Sequence, residues 1–218
     1  MSAGPWPPRT PEAYRSEAAA ALEPSLHAPF AAVRLLVLDA DGVLTPANIL
    51  YGPQGEALKE FDSRDGFGLV QAHAAGLKLA LLTGRPSRIA ERRCRDLGFD
   101  VIKLGRFDKV AALREILAET GCAAAETCYV GDDVIDIPAL DAVGLPVTVP
   151  AAPDEVRERS RYVTRAGGGR GAVREVTDLV LKLRGLYGPA LVRLAAAPAP
   201  HPPEPAAGDD PRPEAPIP

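Results

Sequence analysis

Soft metal ligands are scarce in this chain. Its 218 residues include three cysteines and three histidines, and neither set forms a spacing suited to zinc or to a paired disulfide framework. Cys94, Cys122 and Cys128 therefore read as small hydrophobes in helix or strand, a usage that suits the reducing cytoplasm. His27 and His201 lie near the two ends, and His73 has no titratable partner within one helical turn, so packing or surface roles are expected. No run of about 18 apolar residues is present, which excludes a membrane-spanning helix. The chain does not open on a basic region followed by an apolar stretch, so no secretory leader is expected. Excess positive charge is missing as well. The formal net charge is −4, which argues against nucleic acid as a partner.

What is present is an ordinary charged fraction, 25%, and enough chain for one domain with a substantial core. The ends differ from the middle. Residues 1–33 mix Pro, Ala and Ser around an Ala-rich patch, Glu17 to Leu22. They read as a partly disordered extension with one short helix. Residues 187–218 hold ten of the 23 prolines, and such a segment reads as a disordered tail.

Between 34 and 186, strand-length apolar runs alternate with helical patterns. The runs are 35–38, 77–82, 101–104, 127–130, 147–149 and 162–164; the helical patterns are 66–75, 87–97, 109–120, 135–143, 154–160 and 172–183. Near-continuous apolar strands between amphipathic helices imply an α/β domain, a doubly wound parallel sheet with helices on both faces. Residues 49–62 break the alternation and read as a β-hairpin flap around a Pro-Gln-Gly-Glu turn. Ligands bind such sheets beyond the carboxyl ends of the strands. Asp39 follows the first strand, Thr83-Gly84-Arg85 follow the run at 77–82, and Gly131-Asp132-Asp133 follow the run at 127–130. All three clusters should face one crevice.

Asp39, Asp41, Asp132, Asp133 and Asp136 then gather negative charge at one end of the sheet. Hard oxygen ligands without His or Cys suit Mg2+ bound together with a phosphate. Lys109, the Thr83 hydroxyl and Gly84 oppose that charge. A divalent cation, a lysine, a hydroxyl and a carboxylate nucleophile together read as phosphoryl transfer.

At this point the chain resembles the haloacid dehalogenase superfamily of phosphohydrolases, whose four motifs occur in order: "DADGVLT" (39–45), "LLTGR" (81–85), Lys109 in "FDKVAAL", and "GDDVID" (131–136). It is more similar still to the 3-deoxy-D-manno-octulosonate 8-phosphate phosphatase branch. The branch markers are "GEALKEFDSRDGFG" (55–68), "LLTGRPS" (81–87), "GDDVIDIPAL" (131–140) and "GGRGAVREV" (168–176). The resemblance implies Asp39 as nucleophile and Asp41 as general acid and base. It implies Mg2+ on Asp39, the Asp41 backbone carbonyl and Asp132, with Asp133 and Asp136 supporting. Thr83, Gly84 and Lys109 would hold the phosphoryl oxygens. It further implies a cytoplasmic homotetramer without a large cap domain, whose flaps shield neighbouring sites. Arg64, Asp65, Arg85 and Arg170 become candidates for a sugar-acid substrate, and Tyr51, Gln54 and Lys59 for its specificity.

Rival readings fit less well. "GGGRGA" (167–172) matches a dinucleotide fingerprint, yet no strand follows its helix. The branch resemblance instead implies that this segment shapes a neighbouring subunit's site. Receiver domains put their acidic pair before the phosphorylated aspartate, the reverse of the order here. Two alternatives stay open: a phosphatase for a nine-carbon sugar acid 9-phosphate, and a non-catalytic assembly module of the kind fused to sugar-nucleotide synthetases.

Overall fold

A computed structural model describes residues 9–196. Two helices come first, α1 (Pro11–Ala20) and α2 (Pro24–Ala32), followed by β1 (Leu35–Leu38), the hairpin strands β2 (Leu50–Gly52) and β3 (Gly55–Leu58), and α3 (Ser63–Ala74). Next are β4 (Lys78–Leu82), α4 (Arg88–Asp96), β5 (Val101–Lys103), α5 (Lys109–Thr120), β6 (Thr127–Gly131) and α6 (Ile137–Leu140). The chain continues through β7 (Leu145–Thr148), α7 (Asp154–Arg159), β8 (Tyr162–Val163), α8 (Ala172–Leu183) and α9 (Tyr187–Ala196). None of these helices is long and apolar enough to cross a membrane.

Six strands form a parallel sheet in the order β5-β4-β1-β6-β7-β8. Without the hairpin this is the doubly wound order 3-2-1-4-5-6, and the direction of winding reverses between β1 and β6. Side chains alternate across the sheet. Leu36, Leu38, Leu79, Leu81 and Val130 join one core with α3, α4 and α8. Leu35, Val37, Ala80, Leu82 and Tyr129 join the other with α5, α6 and α7. Both faces are covered, which is why these strands read as unbroken apolar runs.

Helix limits follow local chemistry. Asp108 caps α5 by accepting from the Ala111 amide at 2.9 Å, and Gly121, at φ 67°, ends it. The helix expected over 135–143 is shorter: a 3-10 turn, Val134–Asp136, leads into the single turn of α6. Pro138 sits in that first turn and supplies no N–H to extend the preceding ladder.

The extension over 1–33 also departs from expectation. One short helix was expected around Glu17 to Leu22, whereas residues 11–32 form two, α1 running into that patch and α2 after it. Each begins at a proline, and Thr10 caps the first. Tyr14, Ala18, Leu26 and Phe30 are buried, and both helices lean on α8. The start of the expected tail is likewise helical: α9 packs on α3, and the Tyr187 ring lies 4.8 Å from that of Tyr14. Residues 1–8 and 197–218, where disorder was also expected, lie outside the described residues.

The glycine-rich segment before α8 docks on its own chain. The Gly169 amide donates to the Val43 carbonyl at 2.8 Å. A Cβ on Gly168 would sit 1.6 Å from the Gly42 carbonyl oxygen, whereas one on Gly167 would meet nothing within 4 Å. Gly168→Ala is therefore expected to cost about 1–3 kcal/mol through overpacking, which lowers the melting temperature by roughly 2–4 °C per kcal/mol. Gly167→Ala should stay within about 0.5 kcal/mol of wild type. Thermal melts of the two variants test the docking, and equal melts would refute it.

Candidate active site

The site starts where β1 runs out. Asp39 still belongs to the sheet by its backbone, donating to the Val130 carbonyl at 3.0 Å. The chain then turns sharply, with the amides of Leu44 and Thr45 both donating to the Ala40 carbonyl. Gly42 makes the turn at φ 89°, a region that favours glycine. A second constraint acts on the same residue: a Cβ there would lie 1.9 Å from an Asp132 carboxylate oxygen. The glycine after Asp41 is thus what lets the β6 loop bring its carboxylate up to the β1 loop.

Between these two loops sits Lys109, the first residue of α5, with its side chain fully withdrawn from solvent. Its ammonium donates to Asp39 Oδ1 at 3.0 Å, to the Leu82 carbonyl at 2.9 Å and to the Tyr129 hydroxyl at 3.3 Å. It also lies 3.0 Å from Asp136 Oδ1. Burial alone would depress this lysine, but the two carboxylates outweigh it and raise its pKa above the ordinary value. It remains a cation.

Asp136 is equally engaged. Its Oδ1 also accepts from the Tyr129 hydroxyl at 2.6 Å, and its Oδ2 accepts from the amides of Asp132 and Asp133 at 3.0 and 3.2 Å. Ligand oxygens of Asp39, Asp132 and Asp136 can come within 4.8 Å of one another, close enough to share a metal ion. Asp136 has both oxygens filled by donors, so it reads as the brace of the cluster. No protein donor reaches the Asp132 carboxylate among the described residues. Burial raises Asp132 to about 8, with Asp39, Asp136 and Asp133 adding repulsion. Burial likewise raises Asp39 to about 6, against the pull of Lys109. Carboxylates in this condition invite a hard cation.

The cluster floors a cleft of about 440 Å³, lined by Asp39, Asp41, Thr83, Gly84, Arg85 and Asp132 together with Asp133, Ala47, Pro86, Phe107 and Ile135. Thr83 is buried at the end of β4, and its hydroxyl accepts from the Arg85 amide at 3.4 Å. Phe107 and Ile135 are exposed at the rim. Asp41 is held from two sides. Its Oδ2 accepts from Arg85 Nε at 3.2 Å, and its Oδ1 pairs with the Lys59 ammonium from the base of the hairpin.

The candidate substrate residues divide. Arg85 lines the cleft, and its guanidinium also donates to the Tyr51 hydroxyl at 3.3 Å. Arg64 and Arg170 do not line it: Arg64 pairs with Asp62 and donates to the Arg170 carbonyl, while Arg170 pairs with Glu60. Asp65 is corrected outright. It is buried, and its carboxylate accepts from the amides of Gly171 and Arg174 at 3.2 and 2.7 Å. It caps α8 and does not line the cleft. Two participants went unmarked in sequence: Tyr129, for which a lone aromatic in an aliphatic strand is the only signal, and the grip of Lys59 on Asp41, for which there is none.

Comparison with known proteins identifies a family. Residues 56–144 match the family of haloacid dehalogenase-like hydrolases. The 3-deoxy-D-manno-octulosonate 8-phosphate phosphatase of Escherichia coli (strain K12) is 44% identical over 153 residues, covering 70% of this chain and 81% of the relative. The crystal structure of the phosphatase of that name from Yersinia pestis superposes with a TM-score of 0.74 at 39% identity, covering 76% of this chain and 90% of that one. The Moraxella catarrhalis enzyme, solved with magnesium ion, phosphate ion and KDO, superposes at 0.74 with 33% identity, covering 78% and 98%.

Both raised carboxylates hold their protons more tightly folded than unfolded. Without a cation, the stability they contribute is present below the ordinary value of 3.8 and is lost as pH rises toward about 8. A bound divalent cation competes with those protons. The rise in melting temperature on adding Mg2+ is therefore expected to be larger at pH 8 than at pH 6, and to shrink in Asp132→Asn. Differential scanning calorimetry at the two pH values measures it; a pH-independent rise would contradict the cluster.

Proposed function

This chain belongs to the 3-deoxy-D-manno-octulosonate 8-phosphate phosphatase family of haloacid dehalogenase-like hydrolases, and from that premise we propose that it hydrolyses that eight-carbon ester to the free sugar acid and phosphate. It is a phosphoric monoester hydrolase. One observation carries the rest of the reading: Asp39, Asp41, Thr83, Gly84 and Asp132 line a single cleft over the buried Lys109.

In this reading an Asp39 carboxylate oxygen attacks phosphorus. The bond from phosphorus to the sugar oxygen breaks, and Asp41 gives that oxygen a proton, leaving an aspartyl phosphate. Asp41 then takes a proton from a water molecule as it attacks phosphorus, which frees Asp39 and releases phosphate. The Thr83 hydroxyl and the Gly84 amide hold the transferring oxygens, and the Lys109 ammonium balances charge as it builds on them. Asp39, the Asp41 backbone carbonyl and Asp132 are the ligands for Mg2+, which when bound offsets phosphate charge and fixes its orientation. Asp136 and Asp133 hold the loop that carries Asp132.

Arg85 is the cleft's candidate for the sugar-acid carboxylate, since a guanidinium pairs well with one. A nine-carbon substrate keeps the same mechanism, but none of the relatives described above is named for one. We place the enzyme in the cytoplasm, in the synthesis of lipopolysaccharide sugars, and infer a homotetramer. Leu50, Tyr51 and Leu58 of the hairpin are exposed, as a surface for a neighbouring copy requires.

Phosphate release from 3-deoxy-D-manno-octulosonate 8-phosphate, nine-carbon analogues and hexose phosphates tests the proposal. The eight-carbon ester is expected to be preferred. Chelator should abolish turnover, and Asp39→Asn should lower it by roughly 10⁴-fold or more. No turnover of any ester by the wild type would leave the assembly-module reading.

A further inference from the structure

Lys59 follows β3, at the base of the hairpin. Its side chain is fully withdrawn from solvent, and its ammonium contacts two carboxylates, Asp41 Oδ1 and Glu56 Oε2, the latter at 3.1 Å. Glu56 in turn accepts from the Ser87 hydroxyl. Ser87 caps α4, its Oγ accepting from the Ala90 amide at 3.1 Å. A continuous polar strut thus runs from the start of α4 through the hairpin to Asp41. Lys59 does not line the cleft that holds Asp39, Thr83 and Asp132. The residue instead borders a separate groove beside Arg88 and Arg92, with its side chain turned inward to Asp41. Its contact with the cleft residues is by way of Asp41.

The hairpin itself has little apolar anchorage. Leu50, Tyr51 and Leu58 are all more than half exposed, so within the subunit its seat rests on polar contacts: the Lys59–Glu56–Ser87 strut and the bond from Arg85 to Tyr51. Of the two cations that hold Asp41, Lys59 belongs to the hairpin and Arg85 to the loop after β4.

We propose that Lys59 is a positioning residue: seating the hairpin and aiming the Asp41 carboxyl at the leaving oxygen are one event, with Glu56 and Ser87 as the fixed end of the strut. A general acid acts only within hydrogen-bond reach of its target, and a misplacement of about 1 Å can cost about 10²-fold in rate. The inference rests on the phosphatase reading above, in which Asp41 protonates the departing sugar oxygen.

The leaving group provides the test. Nitrophenolate departs without needing a proton, whereas a sugar alkoxide needs one. The ratio kcat/KM reports steps up to that departure. It is measured for the sugar phosphate the wild type hydrolyses best and for 4-nitrophenyl phosphate, both with Mg2+ present. Lys59→Met is expected to lower the sugar value by about 10²-fold and the nitrophenyl value by less than about fivefold. Lys59→Arg should recover most of the loss. In an Asp41→Asn background, Lys59→Met should add less than about twofold, because the two residues act as a unit. Equal losses on both esters, or no loss, overturn the proposal, since a purely structural role does not distinguish leaving groups. If Lys59→Met does not fold, Glu56→Gln carries the same comparison with a smaller selective loss. Wild-type protein that hydrolyses neither ester would overturn the phosphatase reading itself, and this inference with it.

Discussion

A lysine ammonium with no access to water must find all its partners in the protein, and the ends of three strands are arranged around that need. Lys109 takes one oxygen from Asp39 after β1, one from Asp136 after β6, and a carbonyl from Leu82 at the end of β4. An unpaired buried charge is among the most destabilising defects a fold can carry. The strand ends are therefore locked in mutual register by electrostatics as well as by the sheet ladder. Asp132 and the second oxygen of Asp39 take no part in holding Lys109, and both residues line the cleft.

Regions where local pattern and tertiary environment agree were legible in advance. β1 and α5 have the limits their sequences suggest, because Asp108 and Gly121 punctuate α5 and both faces of β1 are covered. The hairpin was readable from its turn residues. The acidic ledge was readable because the carboxyl ends of parallel strands converge by construction. Of the two N-terminal helices only one was expected, at the Ala-rich patch, and neither its full length nor its partner was legible. Both helices are short, each contains proline, and what holds them is the surface of α8, more than a hundred residues away in sequence. Asp65 misled for the same reason. Beside Arg64 it looks like half of an exposed charged pair, yet the amides it caps belong to residues 171 and 174. Lys59 could be named as a flap residue but not assigned a partner, since hairpin tilt is set by contacts that leave no periodic trace.

The hairpin and the core differ in how they are held. The sheet is sealed by aliphatic burial, which is strong and indifferent to small changes in charge. The hairpin rests on ion pairs and hydroxyls around Asp41, Glu56 and Ser87, which are directional and individually weak. Polar seats of this kind can exchange partners, while an apolar core cannot.

The docking of Gly168 and Gly169 onto the turn at Gly42 and Val43 has a bearing on how the molecule is made. The turn bearing Asp41 is synthesised early, but the segment it rests against comes about 125 positions later, and the strand beside β1 that supplies Asp132 lies between them. A growing chain therefore exposes the acidic turn long before its support exists. Completion of the acidic turn waits until the glycines before α8 have left the ribosome, and a chain truncated before them holds every residue of the acidic cluster without the backing that shapes it.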